Sequence, residues 1–385
     1  SNPLTLQTAL NHKPKMNKRL LSLDVLRGAD IFFLVGLQPV LLKVLLALDI
    51  DFLNNTLLYQ LDHARWEGFS LWDLVMPLFL FMSGVTMPFS LPKYLEQNGN
   101  RSLWQRVIKR FIILYALGIL VQGNILALDP KAIYLYSNTL QAIAVGYLLT
   151  VPLTIYLKPK WQIVSIIVLL IIYTIPMTLF GDWSPQGNFG CKVDKLILGR
   201  FRDMTTIDTD GNIVFCPWFD YTYIWSSLTF CCTVAMGSLC GSFIKARKDD
   251  GNKTTLTLLI IGISLVIFGL IWGQFQPIIK RLWTGSMTLF SGGLCIILLA
   301  IFYWWIDIKG HNKNIEWLQV YGCNAIIAYI MGEKINFRSI PNSLLYGLEQ
   351  YCGAAWYEAI LTFFNSAIIF LILYILYKNK KFIKI

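Results

Sequence analysis

The chain has 385 residues, of which 56% are hydrophobic and only 14% are charged, and its mean hydropathy is +0.56. A soluble domain carries about 25% charged residues, so this composition excludes a soluble domain with a single membrane anchor. The first apolar run follows a basic segment but lacks a small-residue cleavage site, so we expect residues 1–18 to be a flexible cytoplasmic leader and not a cleaved signal peptide.

Apolar stretches of about 20 residues recur along the whole chain, and each can cross a hydrocarbon core about 30 Å thick. They predict an all-α polytopic membrane protein, a bundle of about ten transmembrane helices that makes up one domain over residues 19–378. The predicted spans are residues 21–46, 69–91, 103–122, 137–157, 161–180, 221–244, 254–273, 285–306, 315–332 and 354–377. Residues 181–220 then form the longest outer loop, and residues 379–385 form a basic tail.

The lysines and arginines predict the orientation of this bundle. With the N-terminus in the cytoplasm, 21 of the 33 lie in cytoplasmic segments, 11 lie in outer segments, and Arg27 lies inside the first span. Cytoplasmic loops carry the excess of Lys and Arg, so both termini are expected in the cytoplasm. The net charge of +11 follows from this topology and needs no nucleic-acid partner.

The first span, which includes "SLDVLRG", carries two ionisable residues, Asp24 and Arg27. Their i,i+3 spacing places them on one face of a helix, where they can pair. Charges inside a membrane normally pair or line a cavity. The pair is therefore either structural or part of a site.

A histidine precedes the second span, in "DHARWEGFSLWDLVMPLFLFMSG". His63 is either a hydrogen-bonded interfacial residue or a functional base, and its neighbours favour function. Asp62, Glu67 or Asp73 could hold the ring, and Trp66 offers a flat surface of the kind that stacks on sugars. An imidazole with a pKa near 6.5 suits a general base or a transient acyl carrier at neutral pH.

The rest of the chain offers few competing catalytic patterns. His12 and His311 lie in predicted cytoplasmic segments, and we interpret both as solvated. The sequence has no metal-binding cluster, P-loop or G-x-S-x-G motif, so no metal is expected.

The predicted outer loop mixes acids, an asparagine and tryptophans, which suits a sugar amine but is also typical of an ordinary solvated loop. Lys280 of "IIKRLWT" lies on the same side and either contacts an anionic or hydroxyl group or extends toward the interface. The candidate acceptor-binding residues are Gln38, Trp66, Glu67, Asp182, Asn188, Asp220, Lys280 and Trp283.

Several motifs together resemble one family. "SLDVLRG", "HARWEG" and "DLVMPLFLFMSG" are similar to the first two spans of the transmembrane acetyltransferase family of heparan-α-glucosaminide N-acetyltransferase and its bacterial homologues. "LQAIAVGYL", "GNFGCKVDKLILG", "PIIKRLWT" and "YGCNAIIAY" resemble later family motifs, each more weakly. The resemblance covers residues 19–378 approximately.

The resemblance implies an enzyme that takes acetyl from cytosolic acetyl-CoA and delivers it to the amine of a glucosamine-type sugar on the outer side. His63 matches the family's catalytic histidine, with Asp73 or Asp62 expected to fix its tautomer. An acetyl-imidazole intermediate and direct transfer both remain open. Phosphates of CoA would meet basic residues at the cytoplasmic face, and the candidates for this donor site are Arg27, Asp24, Arg106, Lys109, Arg110 and Lys245.

Three positions depart from the family pattern: Gln38 replaces an asparagine, Ala142 an arginine and Ile279 an asparagine. These changes leave the acceptor and the donor open. One alternative function is amino-sugar transport, and another is acylation of a different envelope polymer. We expect a multi-pass protein of the cell membrane, the bacterial inner membrane in particular, with a small-molecule sugar acceptor and with a homodimer left open.

Cysteine placement supports one further expectation. Cys191 and Cys216 share the outer loop, and an extracytoplasmic compartment permits disulfides. We predict that these two are joined, with Cys352 as a competing partner.

Overall fold

The computed structural model describes residues 20–219 and 221–382. The expected leader at 1–18 lies outside these residues, as do Asp220 and the last three residues of the expected tail. In chain order the α-helices are α1 (Leu21–Ile31), α2 (Gln38–Leu48), α3 (Asp51–Leu53), α4 (Val75–Val85), α5 (Met87–Gln122), α6 (Thr139–Tyr156), α7 (Pro159–Leu179), α8 (Phe189–Leu198), α9 (Ser227–Ala246), α10 (Gly251–Trp272), α11 (Gly285–Phe302), α12 (Glu316–Cys323), α13 (Ala325–Lys334), α14 (Ser339–Leu345), α15 (Glu349–Cys352) and α16 (Ala354–Lys378).

Shorter helical segments extend or join these helices. Three are π-helical, at Phe32–Leu37, Asn54–Leu58 and Tyr303–Ile308, and the first of them joins α1 to α2. Turns of 3-10 helix occur at Trp72–Leu74, Ile125–Ala127, Gly199–Phe201, Lys280–Leu282 and Tyr346–Leu348.

Eight helical stretches of the described chain are long and apolar enough to cross a membrane, as expected for a multi-pass membrane protein. They are Leu21–Leu48, Trp72–Gln122, Thr139–Tyr156, Pro159–Leu179, Ser227–Ala246, Gly251–Trp272, Gly285–Ile308 and Ala354–Lys378.

The predicted count of ten differs from these eight for two reasons. Trp72–Gln122 has 51 residues and contains most of the predicted span 69–91 and all of the predicted span 103–122. Its backbone leaves helical geometry at Gly99, where φ is 78°, so two helical segments are joined there at a kink. The predicted span 315–332 is divided at Asn324 into α12 and α13. The number ten, like the cytoplasmic location of both termini, stays a prediction.

Helices α4 and α9 approach each other at backbone distance because glycines face the contact. A Cβ added at Gly84 would lie 1.9 Å from the carbonyl oxygen of Val234, and one at Gly237 would lie 2.0 Å from that of Phe81. Small residues at helix contacts let backbones approach closely in membrane proteins. This contact holds α4 in the middle of the bundle.

The two ends of the bundle carry different groups. We call one end the histidine end, because His63 lies there, just before α4. At the same end α5 finishes and α6 begins, and Nδ2 of Asn138 before α6 donates to Oε1 of Gln122, the last residue of α5, at 3.2 Å. At the opposite end, which we call the basic end, the backbone N–H of Leu21 at the start of α1 donates to Oδ1 of Asp307 at 3.2 Å.

The predicted loop 181–220 contains more regular structure than its sequence suggested. It includes α8 and a hairpin of β1 (Thr206–Ile207) and β2 (Ile213–Val214), whose antiparallel register pairs Thr206 with Val214. Asp194 of α8 accepts the backbone N–H of Tyr223 at 2.9 Å, which ties the loop to the start of the next span. Burial raises the pKa of Asp194 to about 6.

Candidate active site

His63 and Asp73 form a hydrogen-bonded dyad. Nδ1 of His63 lies 2.6 Å from Oδ1 of Asp73, whose side chain is 1% exposed. The other carboxylate oxygen accepts the backbone N–H groups of Ala64 and Ser70, each at 3.1 Å, and lies 3.1 Å from the Ser70 hydroxyl oxygen. An ionised carboxylate only accepts hydrogen bonds, so Nδ1 carries the proton and Nε2 keeps its lone pair.

The backbone around His63 is held by three further contacts. Oδ1 of Asp62 accepts the backbone N–H of His63 at 2.7 Å, and the Ser70 hydroxyl donates to the Asp62 carbonyl at 2.6 Å. From the first span, Nε2 of Gln38 donates to the Leu61 carbonyl at 2.7 Å. Of the two acids considered from the sequence, Asp73 therefore orients the ring, and Asp62 fixes the backbone.

A parallel bridge brings a lysine to the dyad. The backbone N–H of Gly68 donates to Ile278 at 2.9 Å, and Gly68, at φ +113°, pairs with Ile279. A side chain at this φ would be strained, so the glycine permits the bridge. Lys280 follows directly and is 8% exposed, with its ammonium 5.5 Å from the ring centre of Tyr221.

The surroundings of His63 lower its pKa from the ordinary value of 6.5. Burial is the largest cause, because it disfavours the charged imidazolium. The hydrogen bond to Asp73 acts in the opposite direction, and the positive charge of Lys280 lowers the pKa again. The imidazole is therefore neutral at pH 7, as a base or nucleophile requires.

One tryptophan, Trp72, packs beside the dyad. The ring centre of Trp72 lies 6.1 Å from that of His63 and 5.7 Å from that of Phe33 in the first span. Trp66 is half-buried, and its Nε1 donates to the carbonyl of Trp183 at 2.7 Å. Sequence reasoning did not single out Trp72, although it lies next to Asp73.

A cavity of about 520 Å³ opens among the helices at the basic end. Five cations from three parts of the chain line it: Arg27, Lys93, Arg106, Arg110 and Lys248. Such a cluster suits a polyanion, and arginines can bind phosphates through two hydrogen bonds at once.

The inner part of the cavity is apolar and reaches toward the histidine end. Phe79, Leu114 and Leu140 line it. Leu140 is the second residue of α6, which begins at the histidine end. Phe79 follows Trp72 by seven residues, so about 10 Å of helix separates the cavity lining from the residue that contacts His63.

Four of the six predicted donor-site residues line this cavity. Arg27 lies 3.9 Å from Asp24, so the predicted pair forms at the cavity wall. The guanidinium of Arg106 stacks on Tyr94, and that of Arg110 stacks on Tyr147.

The other two predicted donor residues lie elsewhere. Lys109 is exposed and does not line the cavity. Lys245 donates to the carbonyl of Pro88 at 2.7 Å and lines a second pocket beside the cavity. Lys93 and Lys248 were not predicted, because only the tertiary structure brings them to the same opening.

The predicted acceptor residues do not form one cluster. Asn188 is fully buried, and its Oδ1 accepts the backbone N–H of Cys191 at 2.7 Å, so it caps α8. Trp283 is 2% exposed, and its Nε1 donates to Thr233 at 3.1 Å. Internal contacts thus account for both residues.

The other six predicted acceptor positions have different surroundings. Glu67 and Asp182 are exposed, and Asp182 accepts the backbone N–H of Ser184 at 2.9 Å. Asp220 lies outside the described residues. Gln38, through the Leu61 carbonyl, and Lys280, through its charge, lie near His63, whereas Trp66 follows His63 by three residues and bonds to Trp183.

The predicted disulfide between Cys191 and Cys216 is absent, and the prediction was wrong. All eight cysteines belong to the described residues, and all are free. Cys191 is buried in the first turn of α8, where its sulfur lies 3.7 Å from Nη2 of Arg202, whereas Cys216 is half-buried in the loop after β2. Sharing a loop does not make two side chains point at each other.

Comparisons with known proteins agree with the motifs. The family model for the catalytic region of heparan-alpha-glucosaminide N-acetyltransferase matches residues 19–224, which include His63 and Asp73. The heparan-alpha-glucosaminide N-acetyltransferase of Mus musculus is 22% identical over 382 residues, covering 85% of this chain and 57% of the mouse protein. The chain thus matches less than two thirds of that relative's length. It belongs to the heparan-α-glucosaminide N-acetyltransferase catalytic family.

Proposed function

We propose that this protein is a membrane acetyltransferase that takes acetyl from acetyl-CoA at the basic end and transfers it to the amine of a glucosamine-type sugar at the histidine end. The observation that carries this proposal is the alignment of two features along α4. The His63–Asp73 dyad lies before α4, and a cavity with a basic opening reaches from the other end of the bundle to Phe79.

The cavity matches the shape and charge of the donor. CoA combines a polyanionic nucleotide with a long, thin arm that ends in a thioester. Its phosphates would meet Arg27, Arg106 and Arg110 at the opening, while the arm would extend along the apolar wall at Phe79 and Leu140. The nucleotide thus stays in water while the thioester approaches the dyad.

His63 would supply the proton transfer. In direct transfer, Nε2 takes a proton from the sugar ammonium, and the free amine attacks the thioester carbonyl. The attacking nitrogen loses a second proton to water, the carbon–sulfur bond breaks, and the thiolate takes the first proton from the imidazolium. In the covalent route, Nε2 attacks the thioester carbonyl first, the carbon–sulfur bond breaks, and CoA leaves as a thiolate that takes a proton from water. The free amine then attacks the acetyl-imidazole, the bond from the acetyl carbon to Nε2 breaks, and the imidazole takes the proton that the amine loses. Asp73 serves both routes, because it keeps the proton on Nδ1 and stabilises the imidazolium.

Thiol release tests the proposal. Purified protein in detergent is given acetyl-CoA and glucosamine, and free CoA thiol is measured with wild type, His63→Ala and His311→Ala. His311 is exposed and distant in sequence from the dyad, which makes it the matched control. We expect wild type and His311→Ala to turn over, and His63→Ala to lose about 10²-fold or more.

Two results would overturn the proposal. One is a His63→Ala protein, folded by size-exclusion chromatography, that turns over as fast as wild type. The other is uptake of glucosamine into vesicles without any thiol release, which would identify a transporter. A panel of hydroxyl and amine acceptors in the same assay separates sugar N-acetylation from acylation of another envelope polymer.

A further inference from the structure

A carboxylic acid lies inside the first membrane span with no role in the mechanism above. Asp30 of α1 is 6% exposed, and its Oδ2 makes no hydrogen bond to any described residue. It forms no ion pair with the described residues either, while the neighbouring acid Asp24 lies 3.9 Å from Arg27. Ionisable residues within a membrane are costly and are usually functional. Asp30 therefore lacks the partner that its burial calls for.

The helical repeat relates Asp30 to the cavity. Leu23 and Arg27 line the cavity, and Asp30 follows them by seven and three residues. Residues at these spacings lie near one another on a helix, so Asp30 lies one turn beyond Arg27 and beside the cavity wall, although it is not itself among the residues that line the cavity.

Asp30 also lies between the basic opening and the dyad. Gln38, which bonds to the segment before His63, follows Asp30 by eight residues. The carboxyl is therefore about 12 Å along the span from the level of the dyad. No described cation forms an ion pair with Asp30, and an unpaired charge is strongly disfavoured in such a place, so burial favours the neutral form of the carboxyl.

The arm of the acetyl-CoA donor carries groups that can hydrogen bond to the neutral carboxyl of Asp30. The arm of CoA has two amide groups on the nucleotide side of its thioester. When the thioester is at the dyad, these amides lie inside the apolar part of the cavity, where an unmade hydrogen bond is costly. A carboxylic acid can donate its O–H to an amide carbonyl and accept an amide N–H.

We propose that Asp30 is a positioning residue that hydrogen bonds an amide of the acyl donor's arm and so sets how far the thioester reaches toward His63. This inference rests on the proposed acetyl-CoA-dependent function. It assigns Asp30 to donor binding, with no proton transfer to or from its carboxyl.

Three variants and three donors test this role. Asp30→Asn keeps a donor and an acceptor, Asp30→Leu removes both, and Asp30→Ala removes both without adding bulk. Each is assayed with acetyl-CoA, with S-acetylpantetheine, which keeps both amides but lacks the nucleotide, and with S-acetylmercaptoethanol, which has neither amide. The KM for glucosamine is measured in parallel.

We expect Asp30→Leu and Asp30→Ala to raise the KM for acetyl-CoA and S-acetylpantetheine about 10- to 100-fold, with the KM for glucosamine unchanged. Asp30→Asn should stay within a few-fold of wild type. With S-acetylmercaptoethanol, all variants should match wild type. Thermal stability should rise or stay unchanged in Asp30→Leu, because an apolar group replaces an unpartnered buried acid.

Other results would overturn the role of Asp30 and leave the proposed function in place. They are an unchanged KM for acetyl-CoA in folded Asp30→Leu and Asp30→Ala, an equal rise in KM with the amide-free donor, or a KM for acetyl-CoA in Asp30→Asn as high as that of Asp30→Leu. If Asp30→Leu does not fold, Asp30→Ala and Asp30→Asn decide. A wild-type protein that releases no thiol from acetyl-CoA would instead contradict the proposed function itself.

Discussion

The dyad and the cavity hold their polar groups in opposite ways. Around Asp73, the imidazole, two backbone N–H groups and a hydroxyl all lie within 3.1 Å of one small carboxylate. In the cavity, Arg106 and Arg110 stack on aromatic rings instead. A rigid, fully bonded group suits a step that needs fixed geometry, and loosely held cations suit a flexible polyanion. Changes at the dyad should therefore lower kcat, and changes at the cavity should raise the KM for the donor.

After His63 itself, we expect substitution of Asp73 to lower kcat the most. In Asp73→Asn, the amide NH₂ is a donor, and in either orientation it lies against another donor, which is the N–H of His63 or the N–H groups of Ala64 and Ser70. The ring therefore loses the acceptor that fixes its tautomer. We expect kcat to fall about 10²-fold, with little change in KM.

Asp62→Asn is the matched control for Asp73. Asp62 bonds to the backbone of His63, and an amide oxygen can still accept that hydrogen bond, so activity should stay within about threefold. Steady-state thiol release from both variants measures the contrast. Equal losses in the two variants would contradict the assignment of Asp73 as the residue that orients the ring.

At the cavity, Arg27→Gln and Arg106→Gln should each raise the KM for acetyl-CoA about tenfold and leave kcat unchanged. The reason is the loss of one charge-assisted contact to a phosphate. Lys109→Gln is the matched control, because Lys109 lies on the same helix as Arg106 but outside the cavity. A rise in KM for Lys109→Gln as large as for Arg106→Gln would mean that surface charge alone attracts the donor.

The pH profile sharpens the dyad side of the comparison. The neutral imidazole is the active form, so kcat/KM should fall as pH drops through the pKa of His63, which lies below 6.5. Lys280→Met removes a charge that lowers this pKa, so the pKa should rise and the acid limb should move to higher pH by less than about one unit. Lys280→Arg keeps the charge and should leave the acid limb of the kcat/KM profile in place. A shift of that limb in both variants would mean that the packing of Lys280, and not its charge, sets the pKa of His63.

The smallest effect is expected at the cysteines. Because Cys216 is free, Cys216→Ser should change kcat/KM by less than about twofold and the melting temperature by less than about 1 °C. A reducing agent should leave the activity of the wild-type protein unchanged. Loss of wild-type activity on reduction would instead support the disulfide that the sequence predicted.

Sequence identified the dyad better than the cavity, for physical reasons. Asp73 and His63 are ten residues apart, and the turn between them brings the carboxylate to the ring, so a local motif contains most of the site. The choice between Asp73 and Asp62 needed the fold, because both acids are near enough in sequence to reach the imidazole.

The cavity depends on contacts between distant parts of the chain. Lys93 and Lys248 are separated by more than 150 residues, and only the packing of the helices brings them to one opening. The membrane character was predicted from apolar stretches, but the kink at Gly99 and the division at Asn324 were not, because hydropathy does not report helix breaks. Two residues that depart from the family pattern, Ala142 and Ile279, are fully buried and apolar here.

The central claim is that acetyl passes through the bundle from the basic end to the histidine end. It is tested by reconstituting the protein in sealed vesicles with glucosamine inside, adding labelled acetyl-CoA only outside, and separating the two compartments after turnover. The account predicts labelled N-acetylglucosamine inside and CoA thiol outside, with neither formed by His63→Ala. Labelled product that forms only when donor and acceptor share one compartment would contradict it.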